Sequence, residues 1–408
     1  MTEHGQRFGL FAVQDDELLV GGIRLSQLAA RVGGVPFYAY DRALISRRVS
    51  DLRAALPNSI DLHYAVKANP MPAVVAHFAS VVDGLDVASA GELRVALDSG
   101  AVPDAISFAG PGKRQPELVA AVAAGILINV ESMREIVLLE QISQRLARPA
   151  RVAVRVNPDF ELKSSGMKMG GGPKQFGIDA ELVPDALGEI ARRGLAFEGF
   201  HIFSGSQSLR AASISEAQVK AFELSVRLAQ SAPAPLRSIN LGGGFGIPYF
   251  PGEAPLDVRP IGENLAQLVQ RARRELGGVR LVIELGRYLV GEAGIFVSRV
   301  IDRKFSRGEV FLVVDGGLHH HLAASGNFGQ VIRKNYPVCN GTRVFGGPRE
   351  TVSVVGPLCT PLDLLGDRVE IGAANTDSLI VVLQSGAYGL TASPTRFLSH
   401  PEPVEVLV

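Results

Sequence analysis

From Pro36 onward, short apolar runs alternate with longer stretches whose apolar residues recur at helical spacing. After the segment Phe37–Tyr40, apolar runs at His63–Lys67, Leu85–Ser89, Ile106–Gly110, Ile126–Val130, Val152–Asn157, Phe197–Phe203, Ile239–Gly242 and Leu281–Leu285 predict eight strands. Between them Ser213–Gln230 carries Val219, Phe222 and Val226 on one face. Ser132–Leu146 opens with Ser132 and Glu135 at the spacing of a capping box. Eight alternations over roughly 250 residues match an α/β fold of the (β/α)8, or TIM-barrel, kind.

The alternation fails at both ends of the chain. Gln14–Gly22 is a turn-bounded apolar stretch and Leu25–Val32 has helical spacing. Beyond about Gly291, Ile295–Val300, Val310–Val314, Thr351–Val355, Leu379–Leu383 and Val404–Val408 read as strands without long helices between them. The expected organisation is a barrel over residues 36–290 and a β-rich domain built from 1–35 and 291–408. No Pro/Ser linker separates the two, so close packing is expected.

Composition narrows the class of function. The chain has 408 residues, 47% apolar and 20% charged, which is globular rather than disordered. Its 41 basic residues equal its 41 acidic ones, leaving no electrostatic footprint for nucleic acid or an anionic membrane. Two cysteines, Cys339 and Cys359, make neither a disulfide framework nor a zinc motif. No basic-then-apolar leader opens the chain and no run of eighteen apolar residues occurs, so a cytoplasmic location is expected.

Barrels of this kind carry their chemistry at the C-terminal ends of the strands. The first predicted strand ends on Lys67 amid apolar residues, an amine suited to a Schiff base with an aldehyde; a plain surface lysine is the alternative. The fifth ends in Arg155-Val156-Asn157, and the sixth passes His201 into Phe203-Ser204-Gly205-Ser206. The seventh runs into Gly242-Gly243-Gly244-Phe245-Gly246, whose backbone N–H groups suit a phosphate unless they form only a tight turn. The eighth ends in Glu284, followed by Gly286, Arg287 and Tyr288. Singly, Glu284 reads as a salt-bridge partner and His201 as a core histidine. Together they supply what pyridoxal 5′-phosphate requires: an amine, a phosphate cradle, a flat ring and an acid for the pyridine nitrogen.

At these residues the chain resembles the fold-type III pyridoxal-phosphate decarboxylases, which include diaminopimelate, ornithine and arginine decarboxylases. The resemblance runs through His63–Asn69, Leu85–Leu93, Arg155–Pro158, Phe176-Gly177, His201–Gln207, Leu241–Gly246, Glu284–Gly294, Val314–Gly317, Gly356–Cys359 and Gly386–Gly389. It implies an alanine-racemase-type barrel in which Lys67 carries the cofactor, Glu284 pairs with the pyridine nitrogen and His201 stacks on the ring. It places Ser204, Gly242, Gly243, Gly244, Gly286, Arg287 and Tyr388 around the phosphate, with Asp86, Glu92 and Arg155 behind the lysine. For Glu92 a capping role with Ser89 competes. Cys359 matches the residue that reaches into the partner subunit's site, which implies a homodimer with shared active sites; Cys339 reads as a core residue.

Two departures bear on the substrate. The acid that follows the cysteine in familiar members is Thr360 here, with Asp363 three positions on. The arginine and tyrosine that diaminopimelate decarboxylases carry after Val-Asp-Ala-Gly are replaced in Val314-Asp315-Gly316-Gly317-Leu318-His319-His320-His321. Consecutive histidines on a strand point apart, so no metal is expected. With Lys168–Gly177, these features resemble a branch that includes the butirosin glutamyl-acyl-carrier-protein decarboxylase and exosortase A-associated decarboxylases. That branch implies an amino acid tethered to an acyl carrier protein or otherwise modified; a free basic amino acid or diaminopimelate is the alternative. Lys163, Lys168 and Lys174, in the glycine-rich loop between the fifth and sixth strands, are candidate contacts for an acidic carrier, with plain solvated lysines as the alternative. A racemase pairs the pyridine nitrogen with arginine, against Glu284, and a non-enzymatic relative would have lost site residues that remain here.

Overall fold

The computed structural model describes residues 7–160, 167–168, 170–250, 252–328, 330 and 333–408. Of the three candidate carrier-contact lysines, Lys163 lies outside the described residues. The chain forms two compact units. One gathers the described residues of Met1–Arg47, Pro248–Glu253 and Leu289–Val408; the other comprises Arg48–Ile247 and Ala254–Tyr288.

The second unit is a closed barrel of eight parallel strands: β1 (Ile60–Ala65), β2 (Gly84–Val87), β3 (Ile106–Phe108), β4 (Leu127–Val130), β5 (Arg151–Asn157), β6 (Ala196–His201), β7 (Ser238–Asn240) and β8 (Arg280–Leu285). Each pairs with the next and β8 returns to β1, with Glu284 opposite His63 in register. Each of the eight predicted runs overlaps a strand, but the first strand begins earlier, at Ile60, and stops at Ala65, so Lys67 lies in the turn beyond it rather than on the strand. Seven helices alternate with them: α1 (Pro72–Ala79), α2 (Ala90–Asp98), α3 (Gln115–Ala124), α4 (Met133–Leu146), α5 (Val183–Arg192), α6 (Ala211–Ala229) and α7 (Arg259–Glu275).

Strand β1 shows how the pattern makes the fold. Ile60, Leu62 and Tyr64 are buried on one face, and the Tyr64 ring stacks on Phe78 of α1 at 3.7 Å. Period-two alternation sends Asp61 and His63 the other way, into the lumen. Helices start where the sequence supplies caps: the Ser89 hydroxyl accepts the Glu92 N–H at 3.1 Å before α2, and Ser132 accepts that of Glu135 at 3.3 Å before α4.

The first unit holds a mixed, nearly closed sheet. Gly294–Ser306 is its central strand, flanked by Leu379–Val382 and Glu309–Val314, with Arg349–Val355, Leu364–Gly372 and Val338–Asn340 completing it. Phe37–Tyr40 pairs antiparallel with Gly294–Ser306 and parallel with Val404–Leu407, so a segment ahead of the barrel and the last strand of the chain both join this sheet. Val338–Asn340 and Leu364–Gly372 carry no strong apolar signal and went unpredicted. A four-strand meander over Arg7–Arg24 precedes the helix Leu25–Arg31.

Candidate active site

Lys67 lies just past β1, in the short turn Val66–Ala68. Tyr64 Oη donates to the Asn69 carbonyl at 3.0 Å, and Asn69 Oδ1 accepts the Met71 N–H at 3.1 Å, just ahead of α1. The turn is therefore bonded at both sides, while the Lys67 side chain is exposed, its Nζ 5.7 Å from the centroid of Phe203. Gly286 closes the turn from the β8 side: a Cβ there would stand 2.8 Å from Ala68 Cβ.

Glu284 and His201 end β8 and β6, and both are buried. Glu284 Oε2 lies 3.2 Å from His201 Nε2 and accepts Asn240 Nδ2 at 3.0 Å. Burial by itself would push the Glu284 carboxyl up; the neighbouring His201, Lys67 and Arg155 outweigh it and hold it well below the usual carboxylate range. This acid is ionised at neutral pH. The contact with Glu284 lacks hydrogen-bond geometry, and neither His201 ring nitrogen has a hydrogen-bond partner in the protein despite burial.

The glycines after β7 are required by space. A Cβ on Gly243 would fall 1.9 Å from the Glu284 carbonyl oxygen, and one on Gly244 2.5 Å from that of Gly205. Gly242 and Gly244 have φ of +72° and +84°, where glycine is favoured. Ser204, Gly205, Gly243 and Gly244 line one small cleft beside the start of α6.

Behind Lys67, Asp86 is buried on β2. Its Oδ1 meets His63 Nδ1 at 3.0 Å and accepts the Ser107 hydroxyl, while Oδ2 has no hydrogen-bond partner. Burial opposes protonation of His63, but Asp86 overrides it and raises its pKa. Arg155 ends β5 with Nη1 2.8 Å from Glu131 Oε1 and its guanidinium 5.0 Å from the Phe176 ring centroid. Glu92 does cap α2, its Oε2 accepting the Ala88 N–H at 2.8 Å; burial pushes its carboxyl up, partly countered by that bond and by Lys67.

Cys359 and Tyr388 belong to the other unit. Cys359 is exposed and Cys339 is buried, where burial pushes its thiol far up. Tyr388 has φ +53° and its ring lies 6.4 Å from that of Phe328. Asp363 is buried, with Oδ1 accepting the Leu318 N–H at 2.6 Å and Oδ2 that of Leu358 at 2.9 Å. The three histidines lie beyond the strand Glu309–Val314 rather than on it: His319, His320 and His321 are all buried, and the rings of His319 and His320 are 3.6 Å apart. His320 Nε2 meets the Pro401 carbonyl and His321 Nε2 the Ser385 hydroxyl, each at 2.9 Å. Among the described residues no group of three or more His, Cys, Asp or Glu is arranged to hold a metal.

Sequence reasoning passed over Asn240 and Glu131. Asn240 carried a signal: an asparagine two residues before a glycine run makes an Asx turn, and its Oδ1 does accept the Gly242 N–H at 2.8 Å. Pyridoxal phosphate fits the barrel residues: an ionised acid, a buried imidazole whose Nδ1 has no hydrogen-bond partner, an exposed amine at a strand's C-terminal end and a glycine run with the close approach a phosphate needs.

Comparison with known proteins agrees. Residues 42–291 match the family model described as "Pyridoxal-dependent decarboxylase, pyridoxal binding domain". The chain is 41% identical to L-glutamyl-[BtrI acyl-carrier protein] decarboxylase of Niallia circulans over 91% of this chain and 88% of that protein. It is 32% identical to diaminopimelate decarboxylase of Aquifex aeolicus, over 97% and 91%. The fold is shared with the crystal structure of diaminopimelate decarboxylase from M. jannaschii, at TM-score 0.87 and 24% identity over 97% and 92% of the two chains. The chain belongs to the pyridoxal-phosphate-dependent amino-acid decarboxylases.

Proposed function

We propose that the protein removes the α-carboxyl group of an amino acid joined through its far end to an acyl carrier protein, with a glutamyl group as the favoured cargo. The observation that carries this is the 41% identity to a glutamyl-carrier decarboxylase over nearly the whole chain. The substitution of Thr360 for the expected acid supports it, and so does Asp363, whose two oxygens are taken by backbone N–H groups. No carboxylate in that segment is left for a distal ammonium. Lys174, exposed in the loop after β5, is retained as a contact for an acidic carrier, together with Lys163 and Lys168.

When bound, pyridoxal phosphate supplies an aldehyde for Lys67 and a conjugated ring that accepts the electron pair left as carbon dioxide departs. In this reading Glu284 holds a proton on the pyridine nitrogen, and Asn240 keeps Glu284 aimed. His201 stacks on the ring. Gly242, Gly243, Gly244, Ser204, Gly286, Arg287 and Tyr388 bind the phosphate, and Asp86 and Arg155 support the lysine. Cys359 of a second subunit returns a proton to the α-carbon, which makes the working form a homodimer. Among the described residues no helix is long and apolar enough to cross a membrane, and a cytoplasmic location suits a carrier-bound substrate.

Diaminopimelate is the second reading, favoured by the 32% identity to the Aquifex enzyme. The deciding experiment compares glutamyl-carrier protein with free glutamate, lysine, ornithine, arginine and meso-diaminopimelate. Carrier-dependent turnover that weakens as salt rises is the expected result. Efficient turnover of a free amino acid, with no gain on tethering, overturns it.

A further inference from the structure

One charged side chain among the strand ends has no role in the chemistry proposed for the site. Glu131 follows β4 directly and is buried. Its Oε1 accepts the Gly110 N–H at 2.5 Å and Arg155 Nη1 at 2.8 Å, and its Oε2 accepts the Gly177 N–H at 3.1 Å. One carboxylate thus joins the loop after β3, the end of β5, and the segment that leads back to the edge of β5.

Glu131 is itself held from behind. Glu135 Oε2 accepts the Glu131 N–H at 2.9 Å and Lys113 Nζ at 3.0 Å, and Lys113 also donates to the carbonyls of Gly110 and Asn129. Burial would push the Glu131 carboxyl up, but the charges of Arg155 and Lys113 outweigh it and keep it ionised. In front, the Phe176 ring lies against the guanidinium. Gly177, at φ +74°, sits so close to β5 that a Cβ would stand 2.8 Å from the Asn157 nitrogen and 2.9 Å from the Arg155 carbonyl oxygen. The guanidinium is therefore fixed by a carboxylate and a ring that share one rigid backing, and its charge is felt at Glu284.

We infer that Glu131 is a positioning residue for the decarboxylation site, fixing the Arg155 guanidinium between itself and Phe176 so that its charge acts on Glu284. This rests on the reading of Arg155 as part of the cofactor site. A carboxylate that merely tied loops together would act equally with or without Arg155.

The test is a double-mutant cycle on the holoenzyme with Glu131→Gln, Arg155→Gln and the pair, read by turnover and by circular dichroism of the bound cofactor. Glu131→Gln should lower turnover by about 10- to 100-fold, as a misplacement near 1 Å does. It should also alter the cofactor's dichroism in the direction Arg155→Gln does. In the Arg155→Gln background the same change should alter turnover by no more than about 2-fold. Equal effects in both backgrounds, or a fall in melting temperature with turnover and dichroism unchanged, overturn the inference. An inert Arg155→Gln overturns instead the placing of Arg155 at the cofactor. Should Glu131→Gln not fold, Glu131→Asp, which keeps the charge but withdraws it by one methylene, enters the same cycle with the same outcomes.

Discussion

Asn240 donates Nδ2 to Glu284 Oε2 at 3.0 Å while its Oδ1 accepts the Gly242 N–H at 2.8 Å. A single amide thus couples the ionised acid to the first glycine of the cradle. Asn240→Ala removes a donor from one buried group and an acceptor from another. It should destabilise the fold by about 1–3 kcal/mol, the usual penalty for an unsatisfied buried polar group, measured by thermal or urea unfolding.

Glu284→Gln preserves shape and removes the charge proposed to hold a proton on the pyridine nitrogen. Turnover should fall by roughly two to four orders of magnitude, comparable to the loss of other preorganised electrostatic groups. Cofactor content, read from the visible absorbance, should largely persist. Full activity in this variant would mean that the acid does not govern the reaction.

Two glycines should respond in opposite senses to alanine. Gly243→Ala drives a Cβ to 1.9 Å from the Glu284 carbonyl oxygen, a backbone atom that cannot step aside, so cofactor binding and stability should both be lost. Gly188 lies in α5, where an added methyl would have no neighbour within 4 Å, and Gly188→Ala should stabilise by about 0.5–1 kcal/mol. Melting temperatures of the two variants decide the matter.

Acid should weaken the unit that holds the histidine cluster. Burial pushes His321 down to about 3, His319 to about 3 and His320 to about 4, from an ordinary value of 6.5. The folded chain keeps these rings neutral while the unfolded chain protonates them below about pH 6.5. Their contribution is complete above that pH and is lost as pH falls toward 3 to 4. In urea unfolding between about pH 6 and 4.5, His321→Gln should flatten the pH dependence by about 1.4 kcal/mol per pH unit; an unchanged slope would show that His321 does not titrate this way.

The proposal that Cys359 serves the partner subunit's site predicts complementation. Lys67→Ala and Cys359→Ala chains, each inactive alone, should recover about a quarter of the wild-type sites when mixed and allowed to exchange subunits, by random assortment. No recovery despite proven exchange would locate each site within one chain.

The eight barrel strands were legible because they are buried against helices, which forces apolar runs such as Val152–Val156. Lys67, His201, Glu284 and the glycine run were legible for a related reason: strand ends are local, and their residue types are unusual there. Val338–Asn340 escaped because it is short and takes its structure from pairing with the distant strand Leu379–Val382; Leu364–Gly372, paired with the preceding strand Arg349–Val355, escaped because it mixes charged and apolar positions.

The sequence by itself determined which groups stand at the ends of the barrel strands, since periodicity and turns are properties of neighbouring residues. Only the tertiary structure decided what each group meets. Glu131 touches Gly110, Arg155 and Gly177, residues up to 46 positions away, and Asn240 reaches Glu284 across 44. The histidines read as lying on a strand are all buried beyond the strand's end, and the turn there brings the rings of His319 and His320 together. Hydrogen bonds and charge pairs act through space over a few ångströms, and barrel closure is what makes those distances short.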